Sequence, residues 1–359
     1  MDTIKTDLPL FPAGVVGSMP RTQFVRDLLD PEKAEAEADS SSRWMDAAVD
    51  QIVALQDAAG LDIVSDGEYR RRSYIGIIAD VADGFILERR NGLWWHTVVD
   101  RLEPKRPGLA ADEARYLKGR TSRKIKVCLP SPYLLGRRMW DPERSIGAYR
   151  TRQAFMESLI PILRTELEFL KAAGADIVQF DDPHLCLFVD EKIRADFEDP
   201  EREMDLCVDL LNQILDGVDG ITKAIHLCRR NKGRAGWVGE GGYEPILPAL
   251  KRLKVDQYVM EFTIPVAGDL SALEGLPEDC QVGLGCVDCR GEKIDAVEKI
   301  VKRVEQALVY LRPEQIILNP DCGFAPGSAA DIPVDEAYAK LCNEAKAAEV
   351  LRKKYGRGN

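Results

Sequence analysis

Eight short β-prone runs alternate with longer helical patterns along this 359-residue chain. The runs are Val15–Gly17, Ile63–Ser65, Ile125–Cys128, Ile177–Phe180, Lys223–Ile225, Tyr258–Met260, Gln281–Leu284 and Ile316–Leu318. Amphipathic stretches lie among them: Arg43–Ala59, Ser145–Ala173, Met204–Asp216, Lys293–Leu311 and Val334–Lys353. Their apolar residues recur every three or four positions, as in the row Ile294, Val297, Val301, Val304 and Leu308. Strands that alternate with helices pair in parallel, and eight such units predict an α/β fold, the closed (β/α)8 TIM barrel. An open doubly wound sheet is the competitor. It would carry a Gly-rich dinucleotide turn after its first strand, which Gly14-Val-Val-Gly-Ser does not match.

One stretch interrupts the alternation. Residues Phe85–Val99 read as two β-prone runs joined by Asn91-Gly92, a signal for a tight β-hairpin, and the polar segment Arg101–Arg123 follows. Both are read as an insertion between the second and third barrel strands. With no internal repeat and no low-complexity linker, residues 1–359 are expected to form a single domain.

Composition narrows the function classes. Against 60 acidic residues there are 49 Lys and Arg, a formal charge of −11. Such a surface repels phosphate backbones and anionic lipid, so neither nucleic acid nor membrane is expected as a partner. No apolar run approaches the roughly 20 residues of a membrane span. The start, MDTIKTDLPLFPAG, lacks a charged-then-apolar signal pattern, so a cytoplasmic protein is expected. Its nine cysteines are then buried thiols or metal ligands rather than a disulfide framework.

In a barrel, the residues just past the strand C-termini share one mouth. Those positions are Ser18, Glu68, Pro130, Asp181, His226 with Cys228, Glu261, Asp288 and Cys322. The sharpest local signal is Ile225-His226-Leu227-Cys228. Side chains two apart on an extended chain project to the same side, so both can reach one metal ion. Imidazole plus thiolate favours zinc over magnesium or calcium. The alternative is a buried His beside a buried Cys. With only three histidines in the chain, further ligands are expected to be sulfur or carboxylate. Cys322 leaves the eighth strand at a Pro- and Gly-punctuated loop, and Glu261 leaves the sixth behind an apolar run. Taken singly, Glu261 reads equally as a salt-bridged barrel residue and Cys322 as a small hydrophobe.

The order His226-x-Cys228, Glu261, Asn-Pro-Asp-Cys322-Gly resembles the zinc site of the cobalamin-independent methionine synthase family. The similarity extends to Val16-Gly17-Ser18-Met19-Pro20, Asp66-Gly67-Glu68, Asp83-Gly84-Phe85 with Asn91-Gly92, Gln179-Phe180-Asp181-Asp182-Pro183, and Gly283-Leu284-Gly285 with Asp288. It covers nearly the whole chain but only the catalytic half of the full-length enzyme. The resemblance implies a Zn2+-dependent thiol S-methyltransferase, with His226, Cys228, Glu261 and Cys322 as ligands. Glu261, the hardest of them, would leave when the acceptor sulfur arrives. Glu68 and Asp181 would hold the ammonium of homocysteine, and the Ser18 turn its carboxylate. The alternatives are an ion pair of Glu68 with Arg70, Arg71 or Arg72, and a loop-capping role for Asp181.

Three departures put the donor and acceptor in question. Arg290, in Asp288-Cys289-Arg290-Gly291, stands where the family has a histidine that protonates the departing folate nitrogen; arginine is a poor acid but a good anion clamp. The aromatic expected to stack on a pterin has no counterpart in register, Trp140 being the nearest. The stretch from His226 to Asn231, followed by Gly239–Tyr243, resembles short single-barrel relatives, including the epoxyalkane:coenzyme M transferases. Partners are therefore a small-molecule thiol, homocysteine by the paired carboxylates, and a methyl-folate or other alkyl donor. A thiol bearing another anion would use Arg229, Arg230 or Arg290. A barrel like uroporphyrinogen decarboxylase, and a zinc-storing or corrinoid-partner protein, are the competing classes. Glu240, in the Gly-rich loop, is a reserve ligand; Cys286-Val-Asp-Cys289 is a weaker metal or redox pair. Trp94-Trp95 are expected to pack on the barrel or on a second copy in a homo-oligomer, and Arg352–Arg357 to form a solvated tail.

Overall fold

The computed structural model describes residues 7–30, 32, 38–90, 92–325 and 332–356. Its strands are β1 (Ile63–Val64), β2 (Ala82–Arg90), β3 (Leu93–Pro104), β4 (Lys124–Pro130), β5 (Ile177–Asp181), β6 (Thr222–Leu227), β7 (Gln257–Glu261), β8 (Gln281–Val287) and β9 (Ile316–Pro320). Seven of them form one parallel sheet in the order β1-β4-β5-β6-β7-β8-β9. The sheet closes through Ala13 and Gly14, which bridge in parallel to Leu318 of β9 and Ile63 of β1. The eight-membered barrel expected from the sequence is thus present. Its first member pairs two residues earlier than Val15–Gly17, because those residues already run out toward the mouth.

Each crossover is built by local rules. The larger helices are α1 (Ala38–Ala59), α2 (Leu109–Lys118), α3 (Arg152–Ala172), α4 (Pro200–Leu215), α5 (Val297–Ala307) and α6 (Val334–Tyr355). Asp199 caps α4 by accepting from the Arg202 N–H, with Pro200 in the first turn where its missing donor is harmless. Gly174, at φ +82°, ends α3 with a left-handed residue and lets the chain turn into β5. Strands β5, β7 and β8 are buried along their whole length, as expected of strands with helices on one face and a filled barrel on the other.

The insertion is confirmed as an antiparallel hairpin, β2 with β3, registered from Arg90↔Leu93 back to Ala82↔Pro104. Asn91 of its turn lies outside the described residues. The expected C-terminal tail is instead the last turn of α6. Arg352 donates to Leu10 O at 2.7 Å and Phe11 O at 3.2 Å and pairs with Asp62, tying the helix to the barrel's first segment. Arg357 lies outside the described residues.

Barrel closure leaves no room at Gly14. Its N–H donates to Leu318 O at 3.0 Å and to the buried Glu344 Oε1 at 3.0 Å, and an added Cβ would stand 2.9 Å from Ile63 Cβ. Gly14→Val is therefore expected to cost about 1–3 kcal/mol of overpacking strain, read by equilibrium urea unfolding. Wild-type stability in that variant would mean that closure tolerates a wider gap than the geometry states.

Candidate metal and substrate site

Two buried clusters face the mouth. His226 and Cys228 end β6, and Cys322 follows β9; one ligand atom from each lies within 4.8 Å of the other two. The parallel register sets Asp181 beside His226, so the end of β5 adjoins the same cluster. His226 Nδ1 lies 3.2 Å from Val259 O, while its Nε2 is buried without a hydrogen-bond partner. A buried imidazole nitrogen left unpaired is costly unless something binds it. With two sulfurs beside it, the donor set fits zinc. A hydrogen bond from Cys322, with the His226 ring beside it, holds the Cys228 thiol well below its ordinary pKa. The same bond, with burial, pushes Cys322 up. Burial alone would lower His226, but the Cys228 charge raises it to about 9.

The fourth expected ligand does not join this group. Glu261, with no exposed surface, accepts from Arg229 N at 2.7 Å through Oε2 and from Arg290 Nη2 through Oε1. The salt-bridged alternative is therefore the observed state of Glu261. Arg290 also reaches Asp321 Oδ2 at 3.4 Å, and Asp321 accepts from Phe262 N and Thr263 N at 3.0 and 3.1 Å. A guanidinium committed to two buried carboxylates is not free to receive a substrate anion. Arg229 is equally occupied, donating to Gly241 O, Ala267 O and Tyr243 Oη. Of the three arginines considered for that role, only Arg230 lines the mouth. The reserve ligand Glu240 is exposed, its N–H donating to Asp190 Oδ2 at 2.9 Å.

The second cluster joins Glu68, Cys128 and Asp181, again within 4.8 Å of one another. The arginines suggested as partners of Glu68 are engaged elsewhere: Arg70 with Asp46, Arg71 with Glu113, and Arg72 with Leu29 O. The capping role suggested for Asp181 is taken by Asp182, which accepts from Leu185 N at 2.9 Å and Ser131 Oγ at 2.7 Å. Two acids are thus buried side by side, which disfavours charge on both. Burial pushes Glu68 up and takes Asp181 to about 7, against the pull of His226. Glu68 holds a left-handed backbone, φ +57°, fixed by its N–H donating to Asp66 Oδ1 at 2.8 Å. Gly17 leaves space for it, since a Cβ there would come within 2.7 Å of Glu68 Oε1 and of Cys128 Sγ. Ser18 is stitched beside them, its carbonyl accepting from Phe324 N at 2.8 Å and its Oγ from Ala325 N at 3.3 Å.

A cavity of about 590 Å³ opens onto both clusters, reached by Ser18, Glu68, Asp181, His226, Cys228 and Cys322. Its outer wall includes Trp94, Trp95 and His96 of β3, so the hairpin covers the mouth rather than a remote face of the barrel. Arg138 stacks on Trp95 at 4.3 Å and Arg89 on Trp94 at 5.0 Å. Trp140 is not on this wall; its Nε1 donates to Tyr149 O at 3.1 Å. Tyr74 and Arg138, which sequence reasoning passed over, line the cavity. Neither sits at a strand end: Tyr74 lies in a turn and Arg138 in the helix Pro132–Met139, where neither residue type carries a signal of its own. Cys286 and Cys289 are buried free thiols.

Comparisons with known proteins give the family. Residues 11–350 match the family described as the catalytic domain of cobalamin-independent synthase. The chain belongs to that family. Membership makes it a methyltransferase. A protein named methionine synthase from Pyrococcus horikoshii is 28% identical over 361 residues, covering 98% of this chain and 96% of the relative. Its namesake from Saccharolobus solfataricus is 26% identical, covering 98% and 97%. A B12-independent methionine synthase from Shewanella sp. W3-18-1, solved in complex with selenomethionine, shares the fold with a TM-score of 0.79. Its identity is 22%, and the match covers 96% of this chain and 98% of that one.

Tyr243 organises the Glu261 pocket. Its Oη accepts from Glu261 N at 2.8 Å and Arg229 Nη1 at 3.0 Å and donates to Leu227 O at 3.1 Å. Tyr243→Phe strands two buried donors and is expected to cost about 1–3 kcal/mol in urea unfolding. An unchanged midpoint would show that other acceptors replace the hydroxyl.

Proposed function

We propose that this protein is a zinc-dependent thiol S-methyltransferase whose acceptor is homocysteine. The observation that carries the reading is the buried trio His226, Cys228 and Cys322, with one ligand atom of each within 4.8 Å of the other two. When bound, zinc would keep the acceptor sulfur as the nucleophilic thiolate at neutral pH, where a free thiol with a pKa of about 8.5 is mostly protonated. The residues of the chain do the rest. Glu68 and Asp181, two acids buried side by side, receive the ammonium, and the Ser18 turn faces the carboxylate. That pairing favours an amino-acid thiol over coenzyme M, which has no ammonium to offer. Trp94, Trp95 and Arg138 wall the open side, where the methyl donor enters. The share of each chain matched by the relatives supports reading the chain as one domain.

Metal-stripped protein, reloaded, is expected to bind about one zinc per chain. Cys322→Ser is expected to weaken that binding on the order of tenfold or more, measured by competition with a chromophoric chelator. Incubation of the zinc form with homocysteine or coenzyme M, against methyl-folate, methylcobalamin and simple alkyl donors, is expected to yield methionine by mass spectrometry. Product from coenzyme M alone would move the reading to the epoxyalkane-transferase branch. Binding of zinc with no alkylated product across the panel would leave a storage protein. Activity on porphyrin carboxylates without zinc would favour a decarboxylase.

The Asp181 carboxyl sets a pH dependence. Below its pKa of about 7 it is protonated and cannot pair with an ammonium, so amino-acid affinity rises with pH through that value. Methionine, which has no thiol to titrate, is expected to bind about tenfold more tightly at about pH 8 than at about pH 6, read by calorimetry. Asp181→Asn is expected to flatten the profile; a wild-type slope in that variant would assign the titration to another group.

A further inference from the structure

We propose that Arg138 and Arg230 form a receptor for a compact dianionic group of the methyl donor, of the phosphate monoester class. The inference rests on the acceptor reading above and concerns the other reactant. Both arginines line the cavity at the mouth, Arg138 from the helix Pro132–Met139 and Arg230 two residues past Cys228. Among the described residues neither enters an ion pair, and Arg138 Nε is buried without a hydrogen bond. Other arginines of the same wall are engaged: Arg21 with Glu68 O and Arg71 O, Arg72 with Leu29 O, and Arg89 with Glu32.

Two guanidinium groups that feel each other's charge repel, and burial raises the cost unless an anion joins them. Burial, followed by the charge of Arg230, lowers the Arg138 pKa, and the contribution in the other direction comes from the Tyr74 phenol. The same positive field reaches His184, driven well down by burial and then by Arg230, Arg137, Arg138 and Arg152. Tyr74 lines the cavity beside the pair, and burial keeps its hydroxyl protonated and able to donate. Arg138 lies over the Trp95 ring at 4.3 Å, a stack that uses the face of the guanidinium and leaves its in-plane Nη groups for a ligand.

The anion belongs to the donor. An amino acid bears its carboxylate on the carbon that bears its ammonium, so an acceptor held at Glu68 and Asp181 keeps its own carboxylate beside them, at the Ser18 turn. Neither acid is among the charges that act on Arg138. A phosphate monoester carries about two negative charges near neutral pH. It therefore neutralises both guanidinium groups and offers oxygens to both forks, whereas one carboxylate would leave a charge uncompensated. On a chain of formal charge −11, a positive patch at the mouth also draws an anionic reactant inward.

The test is a binding measurement separate from turnover. Inorganic phosphate, sulfate, glutarate and acetate are titrated at constant ionic strength into wild type, R138M, R230M and W95F, read by calorimetry and by tryptophan emission. Phosphate is expected to bind the wild type, with sulfate competing and acetate not, and to change an emission component that W95F lacks. R138M and R230M are each expected to weaken phosphate on the order of tenfold, while methionine affinity stays within about twofold. Unchanged phosphate affinity in both variants would overturn the proposal, as would glutarate binding more tightly than phosphate. Loss of methionine binding together with phosphate binding in R138M would assign the pair to the acceptor carboxylate and overturn it as well. Should the arginine variants fail to fold, the emission response decides with both arginines in place: a full response in W95F puts the ion elsewhere and refutes the receptor. A wild type that binds phosphate but not methionine would support the receptor and refute the homocysteine reading instead.

Discussion

A ring of parallel strands ends all its members at one rim, and the chemistry of this protein depends on that constraint. His226 and Cys228 leave β6, Cys322 follows β9, Glu68 follows β1, and Asp181 ends β5. Far apart along the chain, they meet because closure through Ala13 and Gly14 brings the first and last barrel strands together. Ser18, Glu68, Asp181, His226, Cys228 and Cys322 are all buried, so each polar group there needs a partner or carries an energetic cost.

That cost sorts the rim into two kinds of group. Glu261, Asp321, Arg229 and Arg290 pair with one another between β7, β8 and β9, with Arg290 Nε alone of their groups left without a hydrogen bond. His226 stands beside two sulfurs, and Glu68 with Asp181 concentrates acid at one point of the rim. Groups of the second kind are the ones a ligand can stabilise: a soft dication at the imidazole and thiols, an ammonium at the carboxylates. The proposed acceptor, carrying both a thiol and an amine, would meet both needs, which supports reading the two clusters as one site.

The hairpin insertion supplies what a bare barrel lacks. A ring of strand ends is open to water, and β2–β3 lays Trp94, Trp95 and His96 along one side of the mouth. Arginines stack on the two indoles, joining aromatic surface to positive charge on a chain that is acidic as a whole. This wall, rather than Trp140, lines the mouth.

The eight alternating runs determined the barrel by themselves, because hydrophobic period and strand length are local properties. The motif residues at strand ends likewise gave His226, Cys228, Cys322, Glu68 and Asp181, since strand direction alone sends them to one rim. Which carboxylate meets which cation was beyond sequence reasoning. Arg70, Arg71 and Arg72 stand next to Glu68 in the chain yet face Asp46, Glu113 and Leu29, while Glu261 finds its partner in Arg290, one strand away. Ion pairing in a buried rim depends on distances of a few ångströms between segments far apart in sequence. Those distances exist only once the ring has closed.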